Sequence, residues 1–251
     1  MTGMPTRPGA RRVLVTGASS GIGLQAALAF LQGGDTVAFV SRSMDEARLR
    51  ALVPANLSDF ATAVRLVDPA VCLNPHRTPH PRQVAADLTM EQECTRAVAE
   101  AVTALGGHLD VLVNGAGATR LACGIANTTL DEFQWHMDVN LKSAFLMTQR
   151  CLPHLEASKG CIVNVSSIAA ERPIPNCLPF CVSKAALDSL TKCCAVELAH
   201  KALLHANCTG SQDLTLLLLS GRPRQFGQPI HSGHQSPQQR RDGTRGCSGI
   251  L

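Results

Sequence analysis

The part of this sequence that most restricts its fold lies near the start. The apolar run Val13-Leu14-Val15 feeds into Thr16-Gly17-Ala18-Ser19-Ser20-Gly21-Ile22-Gly23, and an apolar helical pattern follows. Glycines at 17, 21 and 23 allow a tight turn and close backbone approach. The head of the helix then offers unpaired N–H groups and a positive dipole end. Together these form a cradle for a diphosphate, lined by Gly17, Ser19, Ser20, Gly21, Ile22 and Gly23. The spacing is GxxxGxG and not the general GxGxxG.

The rest of the chain repeats the strand-then-helix rhythm. Val13 to Val15, Thr36 to Val40, Val84 to Ala86, Val111 to Val113 and Ile162 to Val165 read as buried strands. Helices are expected over Ile22 to Leu31, Met90 to Leu105, Asp131 to Leu155 and Cys177 to Ala199. This βαβ alternation implies an α/β fold: a doubly wound parallel sheet with helices on both faces, in three layers. We expect one such domain over residues 1–210 and an atypical, disordered tail over 211–251, since Gly221 to Leu251 has few large apolar residues. Prolines at 54, 69, 75, 79 and 81 suggest an inserted surface loop over Val53 to Pro81. His76 and His80 fall in that loop at HxxxH spacing, but the flanking prolines oppose a helix there, so no metal site is expected.

Composition narrows the function. A formal charge of +4, with scattered basic residues and no aromatic interleaving, gives no nucleic-acid surface. The longest leucine run, Leu216 to Leu219, is too short for a membrane span. Eleven cysteines without CxxC or zinc-like spacing, behind no recognisable signal peptide, read as reduced, mostly buried thiols in the cytosol.

The second strand leads into Ser41-Arg42, where an acidic residue would bind a free ribose 2′-hydroxyl and an arginine accommodates a 2′-phosphate. No acid precedes Asp45, so Arg42 favours NADP(H) over NAD(H).

Thr16 to Gly23, Asp87-Leu88, Asn114-Gly115-Ala116-Gly117, Val139-Asn140, Asn164-Val165-Ser166-Ser167 and Lys184 follow one another in order across residues 12–200. In that order they resemble the motifs of the short-chain dehydrogenase/reductase family, with its Rossmann-like fold. The stretch Phe180 to Asp188 further resembles the L-xylulose/dicarbonyl (carbonyl) reductase branch. The resemblance implies that Asp87 and Leu88 lie by the adenine and that Asn114, Ala116 and Gly117 line the coenzyme. It implies that Asn140 breaks the long helix and holds a water for proton relay, that Ser167 binds the substrate carbonyl oxygen, and that Lys184 bonds the nicotinamide ribose. The substrate would be a small-molecule carbonyl or alcohol.

Two departures stand out. The family carries Tyr-x-x-x-Lys, and the position four before Lys184 and thirteen after Ser167 is Phe180, in a chain with no tyrosine at all. Phenylalanine fills the space of the proton donor and has no proton to give. After Leu198 the family continues with a strand, a Pro-Gly turn closing over the nicotinamide, a capping helix and a last strand. Here Ala202 to Gly210 reads as a degraded strand and a polar tail follows, as a frameshifted or alternatively spliced end would give. That tail replaces the segment on which family members build homo-oligomer contacts. Two functions therefore stand: an NADP(H)-dependent oxidoreductase impaired at Phe180, or a catalytically silent dinucleotide-binding protein that partners active relatives.

Overall fold

The computed structural model describes residues 9–42, 46–65, 87–120, 124–198 and 204–208. Six strands form one parallel sheet: β1 (Arg12–Thr16), β2 (Thr36–Ser41), β3 (Ala61–Arg65), β4 (Val111–Asn114), β5 (Cys161–Val165) and β6 (Leu204–Cys208). Their spatial order is β3-β2-β1-β4-β5-β6, with every neighbouring pair parallel. The helices are α1 (Gly21–Gln32), α2 (Glu46–Leu52), α3 (Glu91–Ala104), α4 (Leu130–Met137), α5 (Ser143–Ser158) and α6 (Leu178–Leu198).

Strand side chains alternate faces, and burial follows that alternation. Val13, Val15, Val37, Phe39, Val111, Val113, Val163 and Val165 pack with Ala26, Ala27, Phe30 and Leu31 of α1 and Leu49 of α2. Leu14, Ala38, Val40, Leu112 and Ile162 pack on the other face with α3 and α5, and with Leu198 of α6. Both faces are covered, which is why the strands read as continuous apolar runs and not as alternating ones. Strand order reverses between β1 and β4, and in open α/β sheets the crevice at the carboxyl ends of such strands is where ligands bind.

Two sequence expectations need correction. The supposed loop from Val53 contains a 3-10 turn over Ala55–Phe60 and the edge strand β3, paired with β2 from Val37–Ala61 to Ser41–Arg65. Pro54 caps that turn and does not break a sheet, since its fixed φ of −52° suits the position before a helix. Ala-Thr-Ala-Val-Arg is too small and mixed to announce a strand, and β2 supplies the pairing. Likewise, the stretch read as degraded beyond Ala202 forms β6, paired with β5 over five residues. Pairing at that edge asks only for backbone N–H and C=O groups. His76, His80, Val84 to Ala86 and the tail over 211–251 lie outside the described residues.

Candidate active site

The glycine turn is built by interlocking backbones. Gly17 sits at φ +68°, and a Cβ there would come within 2.6 Å of Gly115 O. A Cβ on Gly23 would lie 2.5 Å from Gly17 O. Buried Thr16 ties this turn to the one after β4: its Oγ1 accepts from the N–H groups of Gly115 and Ala116, both at 3.1 Å. The two loops flanking the crevice are thus one unit. Ser20 precedes α1 in extended conformation and no side chain caps the helix, so the first-turn amides face outward beside exposed Ser20 and Ile22, with Ser19 half-buried. Arg48 Nη2 donates to Ser19 O at 3.2 Å, adding positive charge next to the turn. Arg42 is exposed just past β2.

Asp87 lies in the turn before α3, half-buried, and its Oδ1 accepts from Thr89 N at 2.9 Å and Thr89 Oγ1 at 2.8 Å. Leu88 beside it is buried in the core. The long helix expected over 131–155 is interrupted where the family pattern puts its break. Asp138–Lys142 form a π-turn between α4 and α5, with Asn140 wholly buried. Asn140 Oδ1 accepts from Ala118 N at 2.8 Å, and its Nδ2 donates to Ala118 O at 2.9 Å and to Ser183 Oγ at 3.0 Å. Ser183 in turn donates to Phe180 O at 2.8 Å, linking the π-turn to α6.

Lys184 is buried, with Nζ donating to Val165 O at 2.9 Å. Val165 ends β5, so this bond ties α6 to the strand end two residues before Ser167. Ser167 Oγ accepts from Ala169 N at 3.2 Å, which leaves its own proton for an oxygen outside, and α6 packs on the Ile168–Ala170 turn it caps. A Cβ on Gly117 would fall 3.0 Å from Lys184 Nζ and 3.1 Å from Asn140 Oδ1. Gly117, Asn140 and Lys184 therefore meet in a small polar corner that only a glycine leaves open. Phe180 stands half-buried one turn before Lys184, without a polar atom at its tip. Cys181 is turned elsewhere and accepts from Ile174 N at 3.4 Å.

Behind the corner, Asn114 Nδ2 donates to Asn164 Oδ1 at 2.9 Å and Thr148 Oγ1 at 3.1 Å, while Asn164 Nδ2 donates to Thr191 Oγ1 at 2.8 Å. This buried polar thread joins β4 and β5 to α5 and α6. The motif residues from Thr16 to Lys184 are thus brought to one end of the sheet. Sequence reading did not give roles to Thr16, Arg48, His136 and Ser183. Thr16 and Ser183 lie within quoted motifs, whereas Arg48 and His136 carry no local signal.

Burial pushes the Lys184 ammonium down to about 8 from its ordinary 10.5, partly opposed by Asp188 one turn on. Below pH 8 folded and unfolded chains both hold this proton, and the folded state bears the whole cost of burying a charge. Between pH 8 and 10.5 only the unfolded lysine stays protonated, so stability rises with pH through that window. We expect the melting temperature of the native protein, relative to Lys184→Met, to climb over it by the equivalent of about 3 kcal/mol. A pH-independent difference would refute the burial of this charge.

Among the described residues no helix is long and apolar enough to cross a membrane, and no cluster of metal-ligating side chains is present. The short chain dehydrogenase family model matches residues 73–213. The chain is 33% identical over 204 residues to 2-(R)-hydroxypropyl-CoM dehydrogenase of Xanthobacter autotrophicus, covering 80% of this chain and 74% of that one. It is 30% identical over 192 residues to L-fucose dehydrogenase of Mus musculus, covering 76% of this chain and 61% of that one. The crystal structure of a 3-ketoacyl-(acyl-carrier-protein) reductase from Brucella melitensis complexed with NADH superposes with a TM-score of 0.66 at 29% identity, covering 79% of this chain and 74% of that one. Several relatives are thus spanned over only about three fifths of their length. With the family model matching more than half the chain, and the motifs gathered at the reversal point of the sheet, this protein belongs to the short-chain dehydrogenase family.

Proposed function

We propose that the protein is an NADP(H)-binding oxidoreductase of the cytosol that interconverts a small-molecule carbonyl and a secondary alcohol, with proton delivery impaired by Phe180. The observation that carries the reading is the pairing of an uncapped, glycine-locked head of α1 with the corner of Gly117, Asn140 and Lys184. The residues fit a dinucleotide. The turn Gly17–Gly23 would hold its diphosphate, Asp87 and Leu88 would lie by the adenine, and Asn114, Ala116, Gly117 and Lys184 would lie along the nicotinamide half. When bound, that coenzyme supplies or accepts the hydride. The chain's own task is to orient the carbonyl at Ser167 and to move a proton to its oxygen.

Arg42, with Arg48 near the turn, supports the phosphorylated coenzyme, since guanidinium groups bind phosphate by charge-assisted hydrogen bonds. Titration of coenzyme fluorescence tests this. NADPH is expected to bind more tightly than NADH, and Arg42→Ala to weaken NADPH by about tenfold while leaving NADH within about twofold. An unchanged NADPH-to-NADH ratio would remove Arg42 from the reading, and purified, folded protein that binds neither coenzyme would end it. Placement in the carbonyl reductase branch rests on Phe180 to Asp188, and a panel of diketones, sugars and steroids is the substrate test.

Phe180 favours a second reading, a catalytically silent dinucleotide-binding partner of active relatives. Coenzyme binding without turnover on the whole panel would support it.

A further inference from the structure

The segment after β4 is held in a way that the motifs do not describe. An extended chain directs alternate N–H groups the same way. Here the N–H groups of Ala116, Ala118 and Arg120 each meet a side-chain acceptor: Thr16 Oγ1 at 3.1 Å, Asn140 Oδ1 at 2.8 Å and His136 Nε2 at 3.2 Å. Asn140 and His136 stand one helical turn apart. Four residues of helix advance about 6 Å, and two residues of extended chain about 6.6 Å, so the two side chains match the pitch of the segment they bind. Side chains of α4 and the π-turn thus do the work of a neighbouring strand.

His136 is built for this. It is 2% exposed, and its Nδ1 lies 2.8 Å from Glu132 O in its own helix. That contact fixes the proton on Nδ1 and leaves Nε2 as an acceptor aimed at Arg120 N. The other attachment of Arg120, its guanidinium 3.8 Å over the Trp135 ring and 3.6 Å from Glu132, is half open to water and holds the backbone less firmly.

We propose that His136 is a positioning residue for the coenzyme site: as acceptor for Arg120 N, it completes the clamp that sets the distance of Gly117 from Lys184. The spacing is critical because that corner has no room even for a methyl group. Losing the acceptor leaves a buried N–H unpaired, and the segment shifts to find water.

The effect on affinity rests on the coenzyme-binding reading, so the test has a second arm that does not. His136→Leu keeps bulk and removes the acceptor, while His136→Gln can present an oxygen near the position of Nε2. NADPH titration is expected to show affinity about tenfold weaker for His136→Leu and restored to within about twofold by His136→Gln. Equal affinity in native protein and His136→Leu, or equal loss in both variants, overturns the proposal. Independently of any coenzyme, the Arg120 amide should be protected from hydrogen exchange in native protein and in His136→Gln, and exposed in His136→Leu. If the leucine variant does not fold, the other two proteins decide: a protected Arg120 amide in both supports the clamp, and an amide exchanging like an open loop in native protein overturns it. Should native protein bind neither coenzyme, the functional reading fails while the amide measurement still judges the clamp.

Discussion

Replacing Phe180 with tyrosine is expected to raise kcat/KM for carbonyl reduction by about 10²- to 10⁴-fold, the range that a positioned general acid contributes, or roughly 3–5.5 kcal/mol of barrier. The substitution adds one hydroxyl at the tip of a half-buried ring, one helical turn from the Lys184 ammonium. With its pKa near 8, Lys184 remains mostly charged at neutral pH and stabilises phenolate as the proton leaves for the carbonyl oxygen. The neighbours that hold this part of α6 are already present: Ser183 bonds Phe180 O, Asn140 bonds Ser183, and Lys184 bonds Val165 O. The gain should vanish when Lys184→Met is added. Robust turnover by the native protein would show that Phe180 is no handicap. A tyrosine variant that binds NADPH yet gains nothing would place the defect downstream of Leu198, in whatever covers the substrate.

Gly17→Ala is expected to weaken NADPH binding by about a hundredfold or more and to lower stability as well. Alanine at φ +68° costs about 1–2 kcal/mol in backbone strain alone. The added methyl would also lie 2.6 Å from Gly115 O, a backbone atom that cannot rotate away. The turn must shift, and with it both the amides at the head of α1 and the Thr16 link to Gly115 and Ala116. Gly106→Ala separates the two causes. Gly106 has φ +76°, open space around it, and a place between α3 and β4 at the opposite end of the sheet from the site. That variant should lose comparable strain energy in thermal unfolding and keep its coenzyme affinity. If Gly17→Ala binds NADPH like the native protein, the glycine interlock does not shape the site.

The central sheet and the diphosphate turn were legible because their residues answer to local rules. Buried parallel strands need apolar runs, and a strand passing close to a helix head needs glycine. The break at Asn140 and the roles of Ser167 and Lys184 came only from the order of motifs, since an asparagine or lysine inside a helical pattern says nothing by itself. The edge strands escaped for a common reason. Ala61–Arg65 and Leu204–Cys208 are defined by the strand next door, β2 and β5, and their own residues carry little of the pattern. Prolines misled in the same region, because Pro54 starts a turn where a strict reading has it ending one. His136 was invisible for a different reason: its significance is a match of pitch with a segment sixteen residues earlier, which exists only once α4 and the β4 loop lie side by side.

The thread from Asn114 through Asn164 to Thr191 bears on how variants of this protein would differ. Every side chain that braces the presumed reaction centre is encoded upstream of residue 198, before the sequence parts from its relatives. Transcripts that exchange exons beyond that point would swap the portion that selects substrates and keep the portion that grips a nucleotide. Isoforms of this kind would compete for the same coenzyme pool while differing in what, if anything, they reduce.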